Sequence, residues 1–332
     1  MQAHYGSPAL TSLAICGWTE RTSDLLHALE ARRVHTVAIA DRSAGALAAA
    51  TTALRARCQH PARYQHPREM LRQGQGAIAL LDLEDAAHEA GAAAQNGTAV
   101  LLTGDAIEPE TLEMLARTGA TTAIVRPLWW RAPIAAALDA ARHIEHLRDI
   151  IITVEESRPA RDIADDLVAL AAHLTGESAK AVTATAYGPQ RGETASIVTE
   201  VTFASGGTAR LVARTVLGVR VEVELASATT AIHTTGDGVG GTIEVTTAGR
   251  TDVTPLLEGD HTTLAIDDAL DELTSGGIEA DRLFAEATLL RALAASLDRA
   301  PDTASGVADW GLLPGGGQCS APRTGHLHLV SV

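Results

Sequence analysis

The stretch from Leu13 to Arg42, LAICGWTERTSDLLHALEARRVHTVAIADR, constrains this chain more than any other. An apolar run closing at Gly17 is followed by helical spacing at Leu25, Leu26, Ala28 and Leu29, then by a second apolar run ending at Asp41. Uninterrupted apolar runs suit parallel strands buried on both faces, and the stretch between them suits a crossover helix. Strand, tight turn, helix and strand in that order open a doubly wound parallel sheet.

The alternation continues. Helices are expected over Ser43 to Arg57, Pro67 to Gln73, Glu84 to Ala94 and Pro109 to Thr118, with strands at Gly76 to Asp82, Thr98 to Thr103 and Thr121 to Val125. A helical stretch from Arg131 to Arg148 leads out, and beyond it the pattern changes. After a strand at Asp149 to Glu155 and a helix at Arg161 to Leu174, seven strands follow between Ala181 and Pro255. Many of them alternate Thr, Arg or Glu with Val, Ile or Ala, the mark of an antiparallel sheet covered on one face. Two helices, Leu264 to Thr274 and Ile278 to Leu297, close this part. The predicted fold class is thus an α/β N-terminal Rossmann-like doubly wound parallel sheet plus an α+β C-terminal domain with a large open, mostly antiparallel sheet. Its expected boundaries are 1–127 and 128–300, with a C-terminal tail at 301–332.

Composition narrows the function classes. A formal net charge of −15 opposes nucleic-acid binding, which needs clustered Lys and Arg. No apolar run reaches membrane-spanning length and the N-terminus lacks a signal-peptide pattern, so the cytoplasm is the expected location. Cys16, Cys58 and Cys319 are widely spaced and fit reduced thiols. Every basic residue except Lys180 is Arg, so any chemistry that needs a lysine must use that one. The Ala-, Arg- and Gly-rich, aromatic-poor composition is of the kind a GC-rich bacterial genome writes.

The order of elements resembles the Gfo/Idh/MocA family (glucose-fructose oxidoreductase, inositol dehydrogenase and relatives) over roughly residues 11 to 300. VAIADRS at 37–43 looks like that family's second-strand ending, LTGE at 174–177 like the turn closing its substrate-domain helix, and FASGGTARL at 203–211 like its strand-turn-strand pair. The resemblance implies NAD or NADP as cofactor and a small-molecule ligand in an interdomain cleft. Carried over residue by residue, however, its motifs are altered. The glycine fingerprint falls on Gly17, Thr19 and Thr22, with Trp18 inside the turn. Side chains at the second and third positions crowd the approach of a pyrophosphate, and Glu20 adds a negative charge beside it, so weaker or differently posed binding is expected. Asp41 could accept a hydrogen bond from a ribose hydroxyl and Arg42 could pair with a 2′-phosphate; an ordinary strand-ending turn is the other reading. The family's Glu-Lys-Pro motif falls on Thr103, Gly104 and Asp105, without its lysine. Lys180 lies beside the LTGE turn and cannot stand in. The Asp-His-Asp helix signature falls on Asp162, Asp166 and Ala169, without its histidine. Asp162 and Asp166 share a helix face beside Asp165, either as a carboxylate pair able to do acid/base work or as favourable charge at a helix N-terminus.

His143 and His146, with Glu145 between them, have helical spacing but no third metal ligand, and no metal site is assigned. His326 and His328 suggest a packed extension or a loose tail. Trp129 and Trp130 are candidates for the interdomain cleft or for core or interface anchors, and His88, which the resemblance sets near a strand-end motif above the nicotinamide, for that place or for a surface or capping role. The absence of a nucleophile elbow, a phosphate-binding GK[ST] loop and an HExxH zinc motif lowers other enzyme classes. Two functional expectations follow. The first is a homologue that has lost standard hydride transfer and acts as a ligand-binding, regulatory or partner subunit. It would assemble through its C-terminal sheet as a homo-oligomer or with another protein, because Val, Leu and Ala alternate from Arg210 to Leu225. The other is an enzyme of bacterial specialised metabolism that uses Asp162, Asp166 and Asp105 as acid/base groups, or an atypical NAD(P)-dependent oxidoreductase on a sugar-like substrate.

Overall fold

The computed structural model describes residues 12–144, 146–188 and 196–299. The tail at 301–332, with Cys319, His326 and His328, lies outside the described residues, as does Glu145.

In the first half, strands and helices alternate. The elements are β1 (Ser12–Cys16), α1 (Glu20–Ala31), β2 (His35–Ala40), α2 (Ala44–Ala56), β3 (Ala62–Tyr64), α3 (Pro67–Arg72), β4 (Ile78–Leu81), α4 (Ala87–Gln95), β5 (Ala99–Leu102), α5 (Pro109–Thr118) and β6 (Thr122–Ile124). They form one parallel sheet of order β3-β2-β1-β4-β5-β6. The order reverses between β1 and β4, the switch point at which such sheets open a ligand crevice at their carboxyl ends. β1, β4 and β5 are apolar throughout because both of their faces are covered. The short edge strand β3 carries no apolar run, which is why the sequence reading passes over it.

A single turn at Pro127–Trp130 leads into α6 (Ala132–Ala141), β7 (Asp149–Glu156), α7 (Ala160–Thr175), β8 (Ala179–Tyr187), β9 (Ser196–Phe203), β10 (Thr208–Thr215), β11 (Arg220–Ala226), β12 (Thr230–Gly236), β13 (Gly240–Thr247) and β14 (Arg250–Leu257). The second sheet has the order β14-β13-β12-β11-β7-β10-β9-β8, antiparallel except where β7 pairs with β10. α6 and α7 bury one of its faces. Here the alternation between Arg210 and Leu225 resolves differently from expectation. Leu211, Ala213, Val221, Val223 and Leu225 all point into this core, leaving Arg220, Glu222 and Glu224 on the open face. The pattern therefore marks the covered face, not an apolar outer one.

Two further departures concern helices. α6 stops at Ala141, so His143 and His146 sit in the turn after it rather than on one helix face, and His146 has positive φ. The last two helices, α8 (His261–Thr274) and α9 (Ala280–Arg299), do not simply close the second sheet. α8 joins α1 and α2 on one face of the first sheet through Ala265, Ile266, Ala269 and Leu273. α9 reaches both halves, placing Leu283, Ala287 and Leu290 in the first-sheet core and Leu289 and Leu293 in the second.

Candidate functional site

Gly17 is the one place where the β1–α1 turn needs glycine. Its φ is +88°, and a Cβ there would stand 2.1 Å from the Asp82 carbonyl oxygen. Thr19 then caps α1, accepting from the Thr22 amide at 3.3 Å. Both hydroxyls also donate to the same oxygen of Asp82, Thr22 at 2.6 Å and Thr19 still closer. Asp82 ends the apolar β4 run and is 1% exposed, so a buried carboxylate of this chain already lies against the first turn of α1. A dinucleotide-binding fold uses that helix start for its pyrophosphate. A dianion brought there would meet Asp82 and Glu20 together.

The two residues that close β2 are also engaged. Asp41 accepts from the Trp18 amide at 2.8 Å and from the Ser43 amide at 2.6 Å, so its carboxylate braces the turn and the α2 cap. Arg42 turns to the buried Glu89 of α4 at 3.0 Å. Both residues thus make the intrachain contacts of a strand-ending turn.

Arg21 completes the arrangement. Its guanidinium lies 3.6 Å from Asp82 and 3.9 Å from Asp105, crossing the backbone at Gly104. A Cβ on Gly104 would stand 1.1 Å from Arg21 Nη1. The position to which the resemblance assigns the motif lysine is therefore side-chain-free, and an arginine from α1 fills the space. Neither Arg21 nor Asp82 is singled out by sequence. The available signal was a charged residue closing an apolar strand at the crevice edge.

Below this lies a cleft of about 480 Å³ between the two sheets, lined by Arg21, Thr103, Gly104, Asp105, Asp162 and Asp166 among others. Asp105 and Asp162 both face it. Burial, and then the Asp105 charge, raise the Asp162 pKa above its ordinary value. Asp166 is differently placed: it accepts from Arg126 Nη1 at 3.2 Å and Arg158 Nη1 at 2.9 Å. It sits inside a chain of alternating charge. Glu286 pairs with Arg126, Arg126 and Arg158 share Asp166, Arg158 pairs with Glu156, and Arg131 follows at 3.8 Å from Glu156 and 3.3 Å from Glu258. Burial opposes the charge on Arg158, but Asp166 and Glu156 outweigh it and raise its pKa. Beside Arg131, burial and then the Arg131 charge lower the His261 pKa.

Trp129 and Trp130 line a second cavity, of about 690 Å³, rather than this cleft. Arg126 stacks over the Trp129 ring at 4.9 Å and walls both spaces. Among the described residues, metal-ligating atoms converge at Glu222, Glu224 and His233 on the open face of the second sheet, within 4.8 Å of one another. None of the three lines the cleft.

The six-stranded parallel sheet joined to an eight-stranded, mostly antiparallel sheet is a fold this chain shares with several solved oxidoreductases. An oxidoreductase from Agrobacterium radiobacter in complex with NAD+, L-tartaric acid and magnesium is 14% identical. The alignment covers 87% of this chain and 97% of that one, at a TM-score of 0.73. UDP-N-acetylglucosamine 3-dehydrogenase GnnA from Acidithiobacillus ferrooxidans is also 14% identical, with 86% and 97% covered and a TM-score of 0.69. A variant of KijD10, a 3-ketoreductase from Actinomadura kijaniata in complex with TDP-benzene and NADP, is 15% identical, with 86% and 97% covered and a TM-score of 0.67. At these identities the likeness is one of fold. No family model matches the chain, and no curated protein matches it in sequence. Among the described residues, no helix is long and apolar enough to cross a membrane.

Proposed function

We propose that this chain keeps the oxidoreductase fold without standard hydride transfer, and works as a ligand-binding or regulatory subunit built around its interdomain cleft. The observation that carries the reading is the plug at the switch point. Asp82 lies against the first turn of α1, held by the Thr19 and Thr22 hydroxyls, and Arg21 fills the space over Gly104. A cofactor in the ordinary pose would have to displace Arg21 and set its phosphates beside the buried Asp82 carboxylate, which low dielectric makes costly. The proton-transfer groups are altered as well. Gly104 carries no side chain, and Asp166 is fixed by two guanidiniums. General acid/base catalysis typically contributes about 10²- to 10⁴-fold, and neither residue offers a free group for it.

Titration calorimetry with NAD, NADH, NADP and NADPH tests this directly. The expected result is no binding at micromolar concentration; micromolar affinity for any of the four overturns the reading. A second reading rests on Asp162, whose raised pKa suits an acid/base group facing Asp105 across the cleft. Turnover that Asp162→Asn abolishes, with the fold intact, would select a repurposed enzyme instead.

A further inference from the structure

The open face of the second sheet gathers ligating side chains that the cleft does not use. Residues two apart on a strand share a face, so Glu222 and Glu224 of β11 stand on the same side. Pairing with β12 sets His233 directly opposite Glu224, and pairing with β13 sets Glu244 directly opposite His233. The histidine is bracketed by acidic residues of both neighbouring strands, and backbone ladders rather than loops fix their spacing. His233 Nε2 lies 3.1 Å from a Glu222 oxygen, and one ligating atom from each of Glu222, Glu224 and His233 falls within 4.8 Å of the other two.

The local charge favours a cation. Like charges side by side on a sheet face are destabilising. Arg220, 3.4 Å from Glu222, is the guanidinium paired with this group, and among the described residues Glu224 and Glu244 have no ion pair. Across the same row Ile151 of β7 separates Glu224 from Arg210 of β10. The donor set then selects the ion. Two ligands of one tetrahedral zinc, each about 2.0–2.2 Å from it, stand about 3.3–3.6 Å apart. The 3.1 Å between His233 and Glu222 is close to that separation, and a small side-chain movement brings in Glu224. One imidazole nitrogen with two carboxylate oxygens suits Zn²⁺, whereas Mg²⁺ and Ca²⁺ require larger shells made of oxygen alone.

We propose that Glu222, Glu224 and His233 form a site for a divalent ion of the zinc type, held by His233 Nε2 and one oxygen of each carboxylate. The ion replaces the hydrogen bond between His233 and Glu222, and any proton on Nε2 leaves to solvent. It ties β11 to β12 and, with three protein ligands, keeps a fourth position open to water. None of the three residues lines the cleft, so the site stands or falls independently of the function proposed for the cleft.

Calorimetric titration of Zn²⁺ into the full chain, stripped of metal beforehand, tests this, with Mg²⁺ and Ca²⁺ as separate arms. Zn²⁺ should bind in the micromolar range at a single site and raise the melting temperature, because it binds the folded chain. His233→Ala and Glu224→Gln should each weaken Zn²⁺ by about tenfold or more. Circular dichroism verifies each fold, and if H233A fails to fold, the conservative E224Q carries the test. Other histidines could hold zinc adventitiously, so paired alanine variants at His143 and His146, and at His326 and His328, serve as controls and should leave the affinity unchanged. The proposal is overturned by any of four results: no Zn²⁺ binds below millimolar concentration, the affinity is unchanged in H233A or in E224Q, either histidine control abolishes binding, or Mg²⁺ or Ca²⁺ takes the site as tightly as Zn²⁺.

Discussion

Asp162, Asp165 and Asp166 are neighbours on one helix and occupy three electrostatic environments. Asp166 is held by two arginines, Asp162 faces the cleft, and Asp165 lies beside Arg161 at 3.2 Å with its side chain 32% exposed. The cluster was legible in the sequence; its division was not. Arg126, one of the partners that separates Asp166 from the others, lies 40 positions away in the chain. The same limit hid the plug, since Thr22 and Asp82 are 60 positions apart while Gly17 announces its turn locally. Burial pushes the Asp165 carboxyl up to about 6, with Arg161 pulling the other way. The native state therefore holds this proton more tightly than the unfolded chain. The associated stability is fully present below the unfolded carboxyl pKa near 4 and is lost as pH rises through about 6. Other groups, such as Asp237 and Asp260, have lowered pKa values and gain stability over part of that range, so the wild-type curve alone mixes both signs. The difference between wild type and Asp165→Asn isolates the effect. Across pH 4 to 6 the wild-type melting temperature should fall relative to that of D165N, and parallel curves would refute the assignment.

At the scale of elements, the sequence carried most of the fold. Apolar runs located β1, β4 and β5, and alternation located the antiparallel strands, because each pattern records how many faces of a strand are covered. α8 and α9 show what a pattern leaves open. An amphipathic stripe states that a helix buries a face, not which sheet receives it. Here α8 returns to the first sheet against α1, and α9 divides its apolar residues between both cores. α9 is consequently structural for the whole chain. Leu293 is 0% exposed in the second core, and truncation to Ala should cost about 2–5 kcal/mol through lost burial and the cavity left behind. Denaturant titration measures this, and a cost below about 1 kcal/mol would mean that α9 is not packed as described.

For the whole molecule, the alternating chain of charge is both a wall of the cleft and a clamp between its halves. Arg126 leaves the end of β6, Asp166 belongs to α7, Glu286 to α9, Glu156 closes β7 and Glu258 follows β14. Such a network is not stabilising merely because it exists, since desolvating each ion offsets much of the attraction. Its members are nevertheless interdependent. The side chains of Arg126, Asp166 and Glu286 are only 7%, 12% and 18% exposed, so removing the arginine strands Glu286 and leaves Asp166 with Arg158 alone. Arg126→Met keeps the bulk and the Trp129 contact while deleting the charge, and should destabilise the protein by about 3–5 kcal/mol. Adding Asp166→Asn and Glu286→Gln removes the stranded charges, so the triple variant should recover part of that loss rather than add to it. The clamp also predicts a change in cooperativity. Wild type should unfold in one transition, whereas R126M should let the two sheets part at different denaturant concentrations, because the ion pairs from Arg126 to α7 and α9 would be gone. If R126M unfolds at the wild-type midpoint, or if the triple variant is less stable than R126M, the network is a surface of the cleft and not a joint of the fold.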